Sequence, residues 1–562
     1  MTTHVVFPAD ATSWLSATRA ANILARQGRN VVWAAAPFSG VAAGKSVAFS
    51  AGSFAVEGQA DGLGILSAPF VAVTDLSGLN GTQVRPIRIG VYGSGGAPFN
   101  HAAAFAAMGF LTEFLFAQDI ITGALADFDM LAVPGGGAKA MFGQLDPLGE
   151  DGCAAIRAFV GAGGMYLGSC AGAFDASLVG EGFVAACPQQ KQLQMINAKV
   201  WNSGTTWMGL ESPGVGVLHV KVAAPHHPVT LGLPAELDVT HYNGPLYILR
   251  QGTVPQASDA VGLTRVTGSA AAFTPSENFL GKTLPKSDWL VSDAIKADVY
   301  NAVAGGFGSG RVVLFGSHPE FGLGLNLEDW GQPARLMANA GLWQAGFGGP
   351  QRAERVPVRM ATLYMPAVWT TPADVIAQVG AVEDAAQVLL AVDATREDWF
   401  SASKAMSTFG QTASAIWLQN LQGFAATGKR IRAVLTDLQS MVQEAADGPG
   451  RVGVEQAIRF VTPANWGNDF GFEGVLQQLD RAEAMLRKAA LGFGMTLPAF
   501  EHAYDHLDDS PYHLAVGSYL SAAGVFGNAL LLLQMQKDRL ENAMGAAATP
   551  LGQMTSSTLH RS

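Results

Sequence analysis

The stretch GMYLGSCAG, residues 164–172, decides the fold. Met165, Tyr166 and Leu167 read as a short buried strand that ends at Gly168-Ser169. Cys170 follows, and a helix of small residues opens at Ala171-Gly172. Small residues on both flanks permit a sharp strand-to-helix turn. Such a turn lifts a side chain above a sheet and aims a helix N-terminus at it, which favours a thiolate. Taken alone, the stretch reads equally as a nucleophile or as a buried structural cysteine.

Working outward, short apolar runs alternate with helical stretches over residues 86–350. Strands are expected at IRIGVY (87–92), MLAVPG (130–135), VGVLHVKV (215–222) and RVVLFGS (311–317). Helices are expected at 99–110, 149–162 and 171–178. This alternation predicts a doubly wound, mostly parallel α/β sheet of flavodoxin-like type. Residues 1–85 form a smaller α/β unit: HVVF, a helix over 10–27, NVVWAA, and a hairpin-like arm over 46–56. Arg85-Pro86 marks the boundary between the two. GFGGPQRAERVP (346–357) reads as a linker. Beyond it strand signals stop, and helices are expected at 372–393, 398–446, 472–490 and 512–544. Residues 357–545 therefore read as an all-α antiparallel bundle, and 546–562 as a disordered tail.

Two further motifs lie at strand ends. GSHPEFG (316–322) follows the last strand, with His318 and Glu320 two residues apart. In an extended segment these point the same way. The carboxylate then orients the imidazole while the imidazole polarises a thiol. Pro134 and the glycines after it follow the strand MLAV. There the backbone N–H of Gly136 or Gly137, with that of Ala171, is placed to form an oxyanion hole. Each motif alone is weak: a loop histidine beside a solvated glutamate, and an ordinary glycine turn. Together they stand in the order oxyanion glycines, nucleophile, His-x-Glu, each at the C-terminal end of a strand, where ligands sit in such sheets.

On VPGGG, YLGSCAGA and GSHPE the sequence resembles the class I glutamine amidotransferase-like superfamily. Within it, VYGSGGAPFN (91–100) and HYNGP (241–245) resemble the domain at the N-terminus of some biotin-protein ligases. The resemblance covers about half of the chain. It implies a Cys170–His318–Glu320 triad attacking an amide or related acyl carbon through a thioester, with no metal or organic cofactor. Position adds pocket residues: Gly95, Gly96 and Asn100 after the first strand, with His101 beside them, and Tyr242 and Asn243 at another strand end. No synthetase or biotin-ligase module is apparent elsewhere on the chain, so ammonia transfer within one polypeptide lacks support. The long span between Cys170 and His318 suggests a lid or specificity insertion around 251–305.

Other signals are weaker. SGVAAGKS (39–46) nearly matches a P-loop, but Ser39 stands where glycine is required and a strand follows instead of a helix. YGSGGAP places Pro98 where a dinucleotide turn needs glycine. The net charge of -11, with no basic block, argues against nucleic acid as partner. Three cysteines, Cys153, Cys170 and Cys187, fit neither a disulfide framework nor a zinc motif. Cys153 on an apolar helix face reads as core, and Cys187 before a proline as inert. Reduced thiols and an opening, MTTHVVFPADATSW, without a signal-peptide pattern point to the cytoplasm. Residues 514–536 carry no charge and are long enough to span a bilayer, but Ser518, Ser521 and Asn528 favour the buried central helix of a bundle over a membrane span.

Two functions from different classes follow. The first is a cysteine hydrolase or amidotransferase acting on a small-molecule or peptide amide, with a synthetase or other protein as partner. The second is a non-catalytic binding or scaffold protein that works through its helical bundle, which could also close a homo-oligomer.

Overall fold

The structure is a computed structural model. It describes residues 3–58, 68–135 except 97, 144–180, 191–201, 215–269 except 243, 278–279, 282–283, 294–321 and 331–347, followed by 372–393 and helical residues between 428 and 541.

Seven strands form the first sheet: Thr3–Phe7 (β1), Val31–Ala34 (β2), Phe38–Ala42 (β3), Lys45–Phe49 (β4), Phe54–Glu57 (β5), Val71–Ser77 (β6) and Gly81–Gln83 (β7). Their order is β4-β3-β6-β1-β5-β2-β7, and every pairing is antiparallel. Helix Trp14–Arg26 (α1) buries Ala17, Ala20, Ala21 and Leu24, which recur at helical spacing. The hairpin-like arm expected over 46–56 is two strands, β4 and β5, that do not pair with each other.

The second sheet begins at Arg88–Tyr92 (β8), followed by Pro98–Ala107 (α2), Leu111–Leu115 (β9), Ala117–Ile121 (α3) and Met130–Val133 (β10). Leu145–Gly161 (α4), Met165–Ser169 (β11) and Ala171–Asp175 (α5) come next. The remaining strands are Ala198–Val200 (β12), Val215–Val222 (β13), Glu236–Tyr242 (β14), Tyr247–Leu249 (β15) and Val261–Ser269 (β16). Asn278–Phe279 (β17) and Lys282–Thr283 (β18) pair apart, while Tyr300–Phe307 (β19) and Gly310–Phe315 (β20) rejoin the sheet. Helix Gly331–Ala345 (α6) follows.

The order β14-β13-β16-β19-β20-β11-β10-β8-β9 corrects the expectation of a mostly parallel sheet. Only β9, β8, β10, β11 and β20 run parallel. Strands β13, β14, β16 and β19 extend the sheet antiparallel, with β12 and β15 alongside. The cause is connection length. Parallel neighbours need a crossover, which α2, α3 and α4 supply. Gly308 and Ser309 join β19 to β20 as a tight hairpin, with Gly308 at φ +55°. The same strands narrow the insertion expected around 251–305: β16 and β19 are integral to the sheet, and most of residues 270–293 lie outside the described residues.

Both faces of the parallel half are covered, so MLAV is buried at all four positions. Met165 and Leu167 join one core with α2, α6 and α1; Tyr166 joins the other with α4 and α5. This alternation is the period-2 pattern of a strand. Helix α4 is broken at Gly149 (φ 56°, ψ -164°), where the sequence places its start.

Helix Pro372–Asp393 (α7) is present as expected. The helices expected over 398–446, 472–490 and 512–544 fall largely outside the described residues, and the tail falls wholly outside them. Where described, these segments are helical and touch: Arg432 reaches Glu383 at 2.6 Å and Gln378 reaches Glu483 at 2.7 Å. Arg19 of α1 pairs with Asp538 at 3.0 Å. Among the described residues no helix is long and apolar enough to cross a membrane.

Helix α2 carries polar residues toward the sheet's C-terminal edge, and Phe105 anchors it. Phe105 is wholly buried and packs edge-on against Phe110 at 5.9 Å. Phe105→Ala is expected to cost roughly 3–5 kcal/mol, read as a lowered midpoint in denaturant unfolding.

Candidate functional site

Strands β10, β11 and β20 are adjacent and parallel, so their C-terminal ends meet at one edge of the sheet. The loop after β10 carries Gly135, the turn after β11 carries Cys170, and the turn after β20 carries His318 and Glu320.

Cys170 adopts φ 49° and ψ -112°, a left-handed conformation that costs a non-glycine residue energy. The surroundings hold it there. Its N–H donates to the Phe315 carbonyl at 2.9 Å, and its carbonyl accepts from the Phe174 N–H at 2.9 Å. The small flanks read from the sequence are required by close approach: a Cβ on Gly168 would lie 2.4 Å from the Gly172 oxygen. Tyr166 donates its hydroxyl to that same carbonyl at 2.6 Å. Ala171 opens α5 directly after the thiol.

His318 is fixed through both its side chain and its backbone. Its N–H donates to the Thr240 carbonyl at 2.8 Å, and its ring stacks on Phe321 with centroids 4.4 Å apart. Nδ1 lies 2.7 Å from Glu320 Oε1, with both residues buried. The carboxylate can only accept, so the proton sits on Nδ1 and Nε2 is left to serve Cys170. The segment is not extended, as the sequence suggested. Pro319–Phe321 is a 3-10 turn closed by Phe321 N–H to the His318 carbonyl at 3.1 Å, and the turn itself brings the two side chains together.

Burial opposes charge on both partners, and their mutual attraction overcomes it. Desolvation pulls the His318 pKa down, but Glu320 and Cys170 together push it up to about 10. Desolvation likewise raises the Glu320 carboxyl, while the neighbouring imidazoles, His318 among them, bring it below its ordinary value. The site thus favours an imidazolium–carboxylate pair beside the sulfur.

The structure places the other sequence-derived residues unequally. Gly135 sits against Cys170: a Cβ there would meet the Cys170 Cβ at 2.4 Å and the His318 Cε1 at 2.8 Å. Gly136 and Gly137, the expected oxyanion donors, lie outside the described residues, as do Asn243, Cys187 and the Tyr242 side chain. Gly96 lies one layer back, where a Cβ would be 2.8 Å from the Gly135 oxygen, and Gly95 precedes it in the same turn. Asn100 is buried on α2. The turn that follows Tyr242 reaches the site, since a Cβ on Gly244 would lie 3.4 Å from the Cys170 Cα. Cys153 is core, as read, with burial and then Asp175 pushing its thiol up to about 12.

Two polar groups carried little signal in the sequence. His241 Nδ1 lies 2.9 Å from Ser317 Oγ, which also accepts from Asn301 Nδ2 at 2.6 Å. Burial, then His318, lowers the His241 pKa to about 3, so it is neutral. His101 is wholly buried, with Nε2 3.0 Å from Ser169 Oγ and Nδ1 3.8 Å from Glu320 Oε1. His241 opens the motif HYNGP and His101 directly follows VYGSGGAPFN, but neither stretch says which way a ring points.

No protein-family model and no curated protein matches the chain. Among solved structures, it is similar to a protein described as a GMP synthase component from Thermoplasma acidophilum, with 15% identity and a TM-score of 0.26 over 46% of this chain and 94% of that one. It is similar to a ThuA-like protein from Bacteroides uniformis, with 13% identity and a TM-score of 0.28 over 46% of this chain and 91% of that one. It is also similar to PurLQS from Thermotoga maritima, with 12% identity and a TM-score of 0.26 over 46% of this chain and 98% of that one. At these TM-scores the likenesses assign no role to any residue.

The Gly135 contact yields a direct test. Gly135→Ala forces a methyl group between the Cys170 and His318 side chains. Alkylation of Cys170 by iodoacetamide is expected to slow by on the order of a hundredfold, the scale of an ångström's misplacement, with overpacking lowering stability by about 1–3 kcal/mol. The measurement is peptide-resolved mass spectrometry over time.

Proposed function

We propose that the protein is a cysteine-nucleophile hydrolase or amidotransferase-like enzyme acting on an amide or related acyl bond. One observation carries this reading: a buried His318–Glu320 pair at 2.7 Å, set beside a cysteine held at φ 49° on a strand-to-helix turn. A structural cysteine needs neither the strained turn nor an oriented imidazole.

The chemistry follows from that arrangement. The Cys170 thiol gives its proton to His318 Nε2 and the sulfur attacks the acyl carbon, forming a C–S bond while the carbonyl π pair moves to oxygen. The Ala171 N–H at the start of α5, with a glycine N–H from the loop after β10, stabilises that oxyanion. His318 then protonates the leaving nitrogen as the C–N bond breaks. Water or an amine, deprotonated by His318, attacks the thioester and releases the thiol. Glu320 stays ionised and keeps the imidazole in the productive tautomer. Every step is served by protein groups.

The placement of Gly96 and Gly244 around Gly135 and Cys170 also supports the finer reading, a class I glutamine amidotransferase-like domain of the type at the N-terminus of biotin-protein ligases. The substrate is then a small molecule or peptide amide in a reducing compartment such as the cytoplasm, with a separate synthetase receiving any ammonia released.

Cys170 should alkylate well before Cys153 and Cys187 near neutral pH, and a panel of electrophilic amide mimics should label Cys170 alone. Similar rates at all three thiols in the folded protein would refute the nucleophile assignment and leave a non-catalytic binding protein. Glu320→Gln should keep the fold yet slow labelling on the order of tenfold or more, the size of losing a hydrogen bond to a charged group. An unchanged rate would show that something else orients His318.

A further inference from the structure

His101 is a buried titratable group beside the triad that takes no part in the acyl-transfer steps. It lies on α2, wholly buried, between the residue that precedes the nucleophile and the carboxylate that orients the base. Its Nε2 is 3.0 Å from Ser169 Oγ and its Nδ1 is 3.8 Å from Glu320 Oε1. Among the described residues Nδ1 has no hydrogen-bond partner, and neither does Glu320 Oε2.

The tautomer decides what this geometry does. If Nε2–H donates to Ser169, the Nδ1 lone pair faces an ionised carboxylate, and the two repel. If the Ser169 hydroxyl donates to Nε2, the proton sits on Nδ1 and an N–H faces the carboxylate. A hydroxyl rotates at little cost, whereas a lone pair facing an anion in a dry site does not relax. The second tautomer is therefore favoured. A third state, imidazolium, is opposed by burial and by His318, with Glu320 alone favouring it, and the net effect lowers the His101 pKa. His101 is neutral, and its contribution is a directed N–H rather than a charge.

We propose that His101 is a positioning residue whose Nδ1–H, set by the Ser169 hydroxyl on Nε2, holds the Glu320 carboxylate in the orientation that aims His318 at Cys170. The inference rests on the triad reading and deepens it. The 3.8 Å gap exceeds a hydrogen bond by about an ångström, so the N–H acts on the carboxylate through its dipole, which carries further in a buried, low-dielectric site than in water. The arrangement forms a ring: Ser169 adjoins Cys170 in sequence, and His101, Glu320 and His318 return from it to the sulfur. Strand β11, helix α2 and the turn after β20 are thereby tied to one carboxylate.

A core histidine that merely fills space would affect stability alone, so the test reads the triad instead. Iodoacetamide is the probe. Its carbon bonds to the Cys170 sulfur, iodide leaves, and the thiol proton passes to His318 or solvent. The second-order rate is measured by peptide mass spectrometry on the full chain, with circular dichroism and melting as fold controls. His101→Leu should slow labelling roughly tenfold, the lower range for a hydrogen bond to a charged group. His101→Asn, which returns an N–H near the Nδ1 position, should recover most of that loss. In combination with Glu320→Gln, His101→Leu should add nothing further, because both act on one carboxylate.

A His101→Leu rate equal to wild type, or an effect that adds in full to that of Glu320→Gln, overturns the positioning role while the triad stands. If His318→Gln and Glu320→Gln leave labelling unchanged, the triad itself fails and this inference with it. Should His101→Leu not fold, Ser169→Ala replaces it. Loss of the hydroxyl should slow labelling severalfold, and an unchanged rate overturns the proposal.

Discussion

The parallel pairing of β10, β11 and β20 is the constraint on which the site depends. Met130 pairs with Met165 and Met165 with Arg311, so the three strands end at nearly the same height. Parallel strands cannot be joined by a hairpin, so the chain must leave the sheet and return through a crossover. The helices that do so cover both faces and bury residues such as Leu131 and Tyr166 completely. A segment after each strand is thereby released at the same edge: one with a glycine that lets the backbone approach, one with the thiol, one with the His-x-Glu turn. Nothing local to residues 135, 170 or 318 brings them together.

Burying this much polar chemistry would be prohibitive without pairing. An isolated ionised carboxylate in an apolar site costs several kcal/mol even after relaxation, by order of magnitude. Glu320 is 1% exposed and His318 3% exposed. Their contact makes the charged forms tolerable, and it also fixes the imidazole's tautomer. His101 and His241, equally buried, follow the opposite course and are held neutral against Ser169 and Ser317. Among the described residues the site thus contains three histidines under similar desolvation, of which only the one facing both a carboxylate and a thiol has its pKa raised.

Cys170, His318 and Glu320 were legible as neighbours because they sit in short motifs at strand ends, where local chemistry and global placement coincide. Strand runs such as MLAV and MYLGS were legible since burial on both faces makes them continuously apolar. What escaped was non-local. VGVLHVKV (215–222) was legible as β13 and Tyr242 as a strand end, but the antiparallel pairing of β13, β14, β16 and β19 joins distant stretches of chain and leaves no local pattern. The way His318 and Glu320 meet was also hidden, because a 3-10 turn and an extended pair place i and i+2 within similar reach. His101 was visible only as a polar residue near a pocket. Its ring is aimed by the packing of α2 on the sheet, a tertiary fact without a sequence signature.

The conformation of Cys170 ties these points together. A non-glycine residue in the left-handed region costs on the order of 1–3 kcal/mol and persists only where the surroundings overdetermine it. Here both of its backbone groups are committed, the N–H to Phe315 on β20 and the carbonyl to Phe174 on α5. The Phe315 bond is made by the same strand whose following turn carries His318. The hydrogen bond that holds the Cys170 backbone in its strained state therefore also ties it to the strand that sets the height of His318. Strain at the thiol and registry of the imidazole are two consequences of one interstrand contact. Because that contact is made by the backbone, changing the side chain at residue 170 leaves the scaffold of the site in place.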